Sequence, residues 1–314
     1  MFKDKKILIT GGTGSLGQAL TKRLLGENVK TIRIFSRNEE KQVYMENKFD
    51  DNRLRFLLGD ITDLERLKRA FEDIDIVFHT AALKHVPKIE YNPFEAIKTN
   101  VIGSQNVIDA CLHENVEKAI AIGTDKAVSP LNTYGATKLL MEKLFVSANN
   151  YVNPKKHLTK FISVRYGNVF GSSGSVVPRF IEQIKKKQKI TITDPKMTRF
   201  MMSLDDAVNL VKFAFNNGTN GDIFIQKSPA ATIELLAKAL TNVLNKPEHN
   251  IKIIGTRHGE KLYETLLTRE EMVNAVNMDK YFRIPSDTRD LNYSKYLIIF
   301  ESPGAIIYFS KLFF

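Results

Sequence analysis

The sequence lacks several residue types on which whole classes of protein depend. Its 314 residues include no tryptophan and a single cysteine, Cys111, so an intramolecular disulfide or a cysteine-rich metal site cannot form within one chain. The six histidines show neither HxxxH nor HExxH spacing, and we therefore expect no dedicated metal centre. Scarce cysteine is typical of proteins that work in a reducing compartment, and we expect a cytoplasmic location.

Long hydrophobic runs are also missing. No stretch of about 20 apolar residues occurs, and the N-terminal run Ile7–Ile9 is too short for the core of a secretory signal. Residues 297–314 are apolar, but Glu301, Pro303 and Lys311 interrupt them. We favour an atypical tail that packs on the protein or on a partner subunit over a membrane anchor, and we expect no stable membrane insertion.

Acidic residues are outnumbered by basic ones. Lys and Arg total 46 against 35 Asp and Glu, which gives a formal net charge of +11, while 43% hydrophobic and 26% charged residues are ordinary for a globular protein. Such a balance suits anionic ligands, nucleic acid or a membrane surface equally well. No basic patch interleaved with aromatic residues is present, so we expect no nucleic-acid partner.

Residues 1–170 alternate short apolar runs with longer segments of helical period. Near-continuous apolar runs are typical of strands buried on both faces, and their alternation with helices predicts an α/β fold with a doubly wound parallel sheet of the Rossmann type. The runs are Lys6–Thr10, Thr31–Phe35, Leu54–Leu58, Asp75–His79, Lys118–Gly123 and Phe161–Arg165. We expect residues 171–296 to form a smaller lobe that mainly binds substrate, with helices near 177–187, 204–216 and 232–244.

A glycine-rich turn joins the first strand to the first helix in Thr10-Gly-Gly-Thr-Gly-Ser-Leu-Gly17. Gly11 permits a tight turn, Gly14 allows the backbone to approach a pyrophosphate, and Gly17 allows close packing of helix and strand. The free N–H groups of the helix N-terminus suit phosphates. We therefore predict a dinucleotide cradle that also includes Thr13, Ser15 and Leu16.

The end of the second strand indicates which dinucleotide binds. An NAD-specific site places Asp or Glu there on the ribose 2′-hydroxyl. This sequence has Ser36, Arg37 and Asn38, with Lys41 one helical turn later, and these groups suit the 2′-phosphate of NADP. Asp60 and Ile61 end the third strand, where the carboxylate would accept from the adenine amino group or cap a helix.

Tyr134 and Lys138 are spaced by four residues and share one helix face. An ammonium close to a phenol favours tyrosinate, so Tyr134 could act as a base near neutral pH. Thr124, at the end of the fifth strand, could bond the same substrate hydroxyl. Alone, this spacing would more often be chance on a solvated helix, but the glycine motif at the head of the same sheet favours the catalytic interpretation.

Together these motifs resemble the extended short-chain dehydrogenase/reductase superfamily, which acts on nucleotide sugars. Further segments are similar to those of inverting UDP-N-acetylglucosamine 4,6-dehydratases, over about residues 4–296. They are Ala81-Ala-Leu-Lys-His-Val-Pro87, Arg165-Tyr-Gly-Asn-Val169, Gly174-Ser-Val-Val-Pro178, Thr191-Ile-Thr-Asp194, Met197-Thr-Arg-Phe200 and Arg257-His-Gly-Glu-Lys261. The resemblance implies a lyase that uses NADP to oxidise C4, eliminates water across C5 and C6 and inverts C5.

The resemblance also implies roles for individual residues. Tyr134 would remove the C4 hydroxyl proton, Lys126 would remove the C5 proton and Asp125 would protonate the departing C6 hydroxyl. Ala81 would lie against the cofactor. The residues implied to bind the UDP-sugar are Lys84, Asn168, Val176, Arg257 and Glu260.

Two other functions stay open. A UDP-sugar 4-epimerase of the same fold, acting on UDP-glucose or UDP-N-acetylglucosamine, would need Tyr134 and the cofactor but not Asp125 and Lys126. A non-catalytic protein that binds NADP or nucleic acid is permitted by the net charge alone. Members of the superfamily commonly associate through helices that flank the sheet, so we expect a homo-oligomer.

Overall fold

The computed structural model describes residues 2–148, 150 and 156–287, in which strands and helices alternate. The strands are β1 (Lys6–Thr10), β2 (Thr31–Ser36), β3 (Leu54–Leu58), β4 (Ile76–His79), β5 (Lys118–Ile122), β6 (Lys160–Arg165), β7 (Asn168–Val169), β8 (Ile190–Ile192), β9 (Thr198–Met202), β10 (Ile223–Gln226), β11 (Ala230–Thr232), β12 (Ile251–Ile253), β13 (Val276–Met278) and β14 (Tyr281–Ile284). The helices are α1 (Ser15–Leu25), α2 (Glu39–Phe49), α3 (Leu64–Phe71), α4 (Val86–Tyr91), α5 (Pro93–Ile97), α6 (Gly103–His113), α7 (Thr133–Ser147), α8 (Val176–Lys185), α9 (Leu204–Asn217), α10 (Ile233–Val243) and α11 (Arg269–Asn274). A π-helical turn spans Lys98–Ile102 and a 3₁₀ turn spans Asp125–Ala127.

A nine-stranded sheet forms the centre of the molecule, in the order β13-β14-β10-β6-β5-β4-β1-β2-β3. Within this sheet β3, β2, β1, β4, β5, β6 and β10 run parallel to one another, whereas β14 runs antiparallel to both of its neighbours, β10 and β13. The predicted α/β fold is confirmed. The strand order reverses between β1 and β4, and ligands of such sheets bind in the crevice beyond the carboxyl ends of the strands at that point.

Apolar residues on both faces of each strand explain the continuous hydrophobic runs. In β1, Ile7 and Ile9 belong to one buried cluster, with α1 and α9, while Leu8 belongs to a second cluster, with α3, α6 and α7. All three side chains are fully buried. Burial on both faces is what a parallel sheet covered by two helical layers requires.

Residues beyond 170 form smaller sheets and also extend the central one. Helices α8 and α10 pack with the β8–β12 pair around a separate apolar cluster, and β7, β9 and β11 make a three-stranded sheet. Strands β10, β13 and β14 join the central sheet, and α9 packs against α1. Residue 170 therefore does not mark the edge of the central sheet. The division at this point, with a lobe mainly for substrate, stays a prediction.

Two further findings concern the described part of the chain. No helix there is long and apolar enough to cross a bilayer. Nor do those residues bring together three or more His, Cys, Asp or Glu side chains that could hold a metal ion. The predicted apolar tail, 297–314, lies outside the described residues.

Candidate active site

A cleft of about 580 Å³ opens at the carboxyl ends of the strands, where the order of the sheet reverses. It brings together most of the residues predicted for the cofactor and the reaction. Its lining includes Gly11, Thr13, Gly14, Ser15, Leu16, Gly17, Ser36, Arg37, Asn38, Lys41, Asp60, Ile61, Ala81, Lys84, Thr124, Lys126, Tyr134, Lys138 and Asn168.

The glycine-rich turn is shaped to admit a pyrophosphate. Gly11 has φ of +66°, and a Cβ there would lie 2.7 Å from the Cα of Ala81. A Cβ on Gly17 would lie 2.4 Å from the carbonyl oxygen of Gly12, so the helix and the turn pack more closely than a residue with a side chain would allow. Gly14 is the N-cap of α1 and, within the described chain, no side chain caps this end and no acidic residue occupies the first turn. These features fit the phosphates of a dinucleotide.

The end of β2 presents cationic and hydroxyl groups to the same cleft. An Arg37 Nη1 donates to Asp60 Oδ2 at 3.1 Å, and Ser36 Oγ accepts from Gln42 Nε2 at 3.0 Å. Asn38 caps α2 by accepting from the N–H of Lys41. Although burial opposes it, hydrogen bonds from Thr62 and the charge of Arg37 hold the pKa of Asp60 below its usual value. Asp60 is thus an ionised partner of Arg37, and Asp63 caps α3 instead.

A loop between β7 and α8 reaches across the cleft to the glycine-rich turn. The Lys84 ammonium donates to the carbonyl oxygen of Ser173 at 2.8 Å, and the N–H of Ser173 donates to Ser15 Oγ at 3.1 Å. Burial lowers the pKa of Lys84. Asn100, in the π-helical turn, bonds both backbone groups of Leu83 and so fixes the segment that carries Lys84.

Tyr134 is the second residue of α7. Asn132 caps the N-terminus of this helix, where its Oδ1 accepts a hydrogen bond from the N–H of Gly135 at 2.8 Å. Burial raises the pKa of the Tyr134 phenol, while a hydrogen bond with Thr124 opposes this rise. Thr124 lies two residues after β5, at the start of the 3₁₀ turn, and faces the same cleft. The two hydroxyl groups are therefore placed to share one substrate hydroxyl.

Lys138 lies one turn along α7, and its side chain is almost fully buried. Its ammonium donates to the carbonyl oxygen of Ile122 at 2.5 Å and contacts Met141 Sδ. Burial lowers the pKa of Lys138 to about 7, against the opposing charge of Glu142. Its proton is consequently exchangeable at neutral pH.

Asp125 and Lys126 follow Thr124 in a 3₁₀ turn and form a close ion pair. The Lys126 ammonium lies 2.9 Å from Asp125 Oδ1 and 3.2 Å from Asn168 Oδ1. Lys126 lines the cleft, whereas the side chain of Asp125 is fully buried behind it. The predicted acid and base are therefore adjacent, but only the cation faces the cleft.

The remaining residues implied to bind the sugar nucleotide do not line this cleft. Val176 begins α8 and packs into the apolar clusters beside it. Glu260 Oε2 accepts from the N–H of Arg257 at 3.1 Å, and the Arg257 side chain is exposed. Asn132 Nδ2 donates to the carbonyl oxygen of Gly259, which places this loop at the N-terminus of α7. The binding roles of Val176, Arg257 and Glu260 stay predictions.

Sequence analysis missed several side chains that support the site. Asn100 holds the Lys84 segment, Glu264 lies beside Lys126, and Arg199 lies beside Glu264. Glu264 lies three residues beyond the segment that ends at Lys261, and Arg199 lies within the segment Met197–Phe200, but neither segment indicated a role for these side chains. Asn100 lies 17 residues from Leu83, and no local pattern indicates it.

Comparison with known proteins defines the family. The family model described as polysaccharide biosynthesis protein matches residues 7–286. The protein named UDP-glucose 4-epimerase from Rickettsia prowazekii (strain Madrid E) is 49% identical over 98% of this chain and 90% of its own length. Pen from Bacillus thuringiensis is 44% identical, and its crystal structure matches with a TM-score of 0.88 over 93% of this chain and 90% of that one.

A more distant structure shares the fold. DesIV, a dTDP-glucose 4,6-dehydratase from Streptomyces venezuelae with NAD and TYD bound, is 18% identical, with a TM-score of 0.76 over 93% of this chain and 94% of that one. At this identity the likeness carries the fold alone.

The comparisons correct one expectation. The resemblance implied a lyase, but the relatives that are 49–50% identical over nearly the whole chain are named UDP-glucose 4-epimerase, an isomerase. A dehydratase appears at 18% identity, so the assignment of this chain to the lyases was wrong. One fold can host several reactions, so a resemblance in fold and local motifs does not by itself fix the reaction. What the family model and these relatives do establish is that the chain belongs to the polysaccharide biosynthesis protein family, with the extended short-chain dehydrogenase/reductase fold.

Proposed function

We propose that the protein is a nicotinamide-dependent UDP-sugar 4-epimerase that acts on UDP-glucose or UDP-N-acetylglucosamine. The observation that carries this proposal is the single cleft that holds both the dinucleotide cradle and the Thr124–Tyr134 pair, in a chain 49% identical to a protein named UDP-glucose 4-epimerase. Inversion at one carbinol carbon needs a hydride acceptor at that carbon and a proton-transfer group at its hydroxyl oxygen, and the cleft offers a place for both.

In this proposal Tyr134 first loses its own proton to solvent in the cleft, and the tyrosinate then takes the proton of the C4 hydroxyl and later returns it. Thr124 bonds the same oxygen and opposes the rise in the pKa of Tyr134 that burial causes. Lys138, whose pKa is lowered to about 7, exchanges its proton near neutral pH and adds positive charge below that pH. Bound dinucleotide would supply the acceptor for the C4 hydride, which would return to the opposite face of C4 after the 4-keto sugar has turned over in the cleft.

The Lys126 ammonium binds the sugar at the other side of the cleft. It has three N–H donors, of which Asp125 and Asn168 take two. Within the part of the chain that the structure describes, no hydrogen bond occupies the third donor, which can meet a sugar hydroxyl and orient the ring against Tyr134. Asp125 serves here as the buried counter-ion of Lys126, which lets a cation lie in a partly desolvated site.

We propose NADP as the dinucleotide. The support is local: Ser36, Arg37 and Lys41 surround the place of the ribose, and the carboxylate nearest to it, Asp60, is already paired with Arg37. A 2′-phosphate would compete with that carboxylate for a planar guanidinium that binds phosphate well. Self-association through the helices beside the sheet stays a prediction of the resemblance.

The test follows the sugar by proton NMR. Protein loaded with NADP is incubated separately with UDP-glucose and UDP-N-acetylglucosamine, and the couplings of the C4 proton are monitored. We expect a product with an axial C4 hydroxyl, in a mixture that is also reached from the opposite epimer. The Tyr134→Phe variant is the control. A sugar left unchanged by dinucleotide-loaded protein, or a product with a C6 methyl doublet, would overturn the proposal.

A further inference from the structure

Glu264 is a buried carboxylate from the C-terminal part of the chain that lies behind the site. Its side chain is 3% exposed, and it does not line the cleft. Three cations surround it. Glu264 Oε1 lies 3.6 Å from the Lys126 ammonium and 4.0 Å from Arg199 Nε, and its Oε2 lies 3.9 Å from the Lys261 ammonium.

These distances are those of ion pairs and not of hydrogen bonds. Among the described residues, Oε2 of Glu264 has no hydrogen-bond partner, although it is fully buried. Lys261 uses its ammonium to bind the carbonyl oxygens of Val128 and Ser129, at 3.0 and 2.9 Å. A buried carboxylate oxygen without a hydrogen bond is costly, so local stability does not explain this position.

The second carboxylate of the cluster is in a similar state. Asp125 Oδ1 accepts from both Thr124 and Lys126, while its Oδ2 is buried without a partner among the described residues. Lys126 is the group that faces both carboxylates and also reaches the cleft. Other charged or titratable groups that face this cluster are Arg199 on β9, Lys261, Tyr134 on α7 and its neighbour Tyr166.

We propose that Glu264 is a positioning residue, which holds the Lys126 ammonium at the sugar side of the cleft and sets the charge around Tyr134. This inference rests on the proposed epimerase function for its kinetic consequences. Asp125 pulls Lys126 towards the base of the 3₁₀ turn, and Asn168 and Glu264 hold it from the side of β7 and of the C-terminal segment. The cation is thereby kept in one place before the sugar arrives, which lowers the cost of ordering it during the reaction.

The field of Glu264 reaches the phenol as well, because its carboxylate is one cause of the raised pKa of Tyr134, after burial and Asp125. In Glu264→Gln the negative charge is removed with nearly no change in shape. We expect kcat to fall at least tenfold while KM changes by less than threefold. The displaced Lys126 ammonium should weaken contacts in the transition state more than contacts to the bound substrate. The acid limb of the pH profile of kcat should move to lower pH by about half a unit to one unit.

Two further variants separate positioning from loss of structure. Glu264→Asp keeps the charge and should restore the acid limb to within about 0.3 pH units of the original, with part of kcat. Glu271→Gln removes another carboxylate of the same segment, which pairs with Arg165 and does not line the cleft. It should lower the melting temperature without moving the pH profile. On the plateau of the pH profile, the double variant Lys126→Met/Glu264→Gln should have a kcat less than twofold below that of Lys126→Met alone. Once the Lys126 ammonium is absent, Glu264 no longer has that cation to position.

One readout does not depend on epimerisation. Tyrosines labelled with ¹³C at Cζ are titrated by NMR in dinucleotide-loaded protein, and the signal of Tyr134 is assigned with Tyr134→Phe. Its midpoint should move to lower pH in Glu264→Gln and not in Glu271→Gln. If the wild type shows no epimerase activity, the proposed function fails while this titration still decides the role of Glu264. Unchanged kcat and an unchanged Tyr134 titration in folded Glu264→Gln would overturn the inference.

Discussion

The two sides of the cleft are built in different ways. The dinucleotide side is a continuous piece of chain, in which β1, the glycine-rich turn and α1 present backbone N–H groups, and β2 adds Ser36 and Arg37. The sugar side is assembled from distant segments, since Lys126 meets Asn168 and Glu264, 42 residues away in one case and in a separate C-terminal segment in the other. Backbone geometry therefore shapes the dinucleotide side of the cleft, whereas ion pairs between side chains shape the sugar side.

This difference has a consequence for how each side can change. A cradle made of backbone depends on glycine positions and does not depend on the sugar. Ion pairs between segments can be exchanged one side chain at a time, so we expect the sugar side to be the easier one to alter without loss of the fold.

The largest expected effect comes from the Tyr134 hydroxyl, which lies in the cleft that contains both the dinucleotide side and the sugar side. Tyr134→Phe removes the hydroxyl proposed to transfer the proton and leaves the ring that lines the cleft. We expect kcat to fall by about 10²- to 10⁴-fold, because general acid–base catalysis contributes roughly that much. The affinity for dinucleotide, measured by calorimetry, should change by less than about threefold. A variant that loses dinucleotide binding together with turnover would show that the two sides are not separable.

The next effect concerns the connection between the sheet and the C-terminal segment. Arg165, at the end of β6, is fully buried and donates to Glu142 on α7, to Glu271 on α11 and to the carbonyl oxygen of Leu266. Arg165→Met leaves Glu142 buried and unpaired. We expect the free energy of unfolding in urea to fall by about 3 to 5 kcal/mol, as for other broken buried pairs.

The matched control for Arg165→Met is an exposed pair. Glu234 and Lys238 lie one turn apart on α10, 2.8 Å from each other and open to solvent. Glu234→Gln should change the unfolding free energy by less than about 0.5 kcal/mol. Similar losses in the two variants would mean that burial does not govern the strength of these contacts.

The same contrast determined what the sequence could predict. The strands β1 to β6 and the lining of the dinucleotide cradle follow from hydrophobic runs and glycine spacing, both of which are local. Three strands after residue 170 that join the sheet were not assigned to it. Of these, β13 is a mostly exposed edge strand and β14, which lies between β13 and β10, is half-buried, so both have weak patterns. Glu264 and Arg199 were missed because their partners are set by the tertiary fold and not by spacing along the chain.

The smallest expected effect tests the dinucleotide side alone. Arg37 is partly exposed and pairs with Asp60 at 3.1 Å, so a 2′-phosphate would have to compete with that carboxylate in a solvated place. Arg37→Ala should lower the ratio of NADP affinity to NAD affinity about tenfold, which corresponds to about 1.4 kcal/mol. Arg55→Ala, on the neighbouring β3 but absent from the cleft lining, should leave the ratio within twofold. Calorimetric titration of each variant with both dinucleotides measures the ratio directly. An unchanged ratio in Arg37→Ala would assign the preference to Ser36 and Lys41, and equal affinities in the wild type would contradict the choice of NADP.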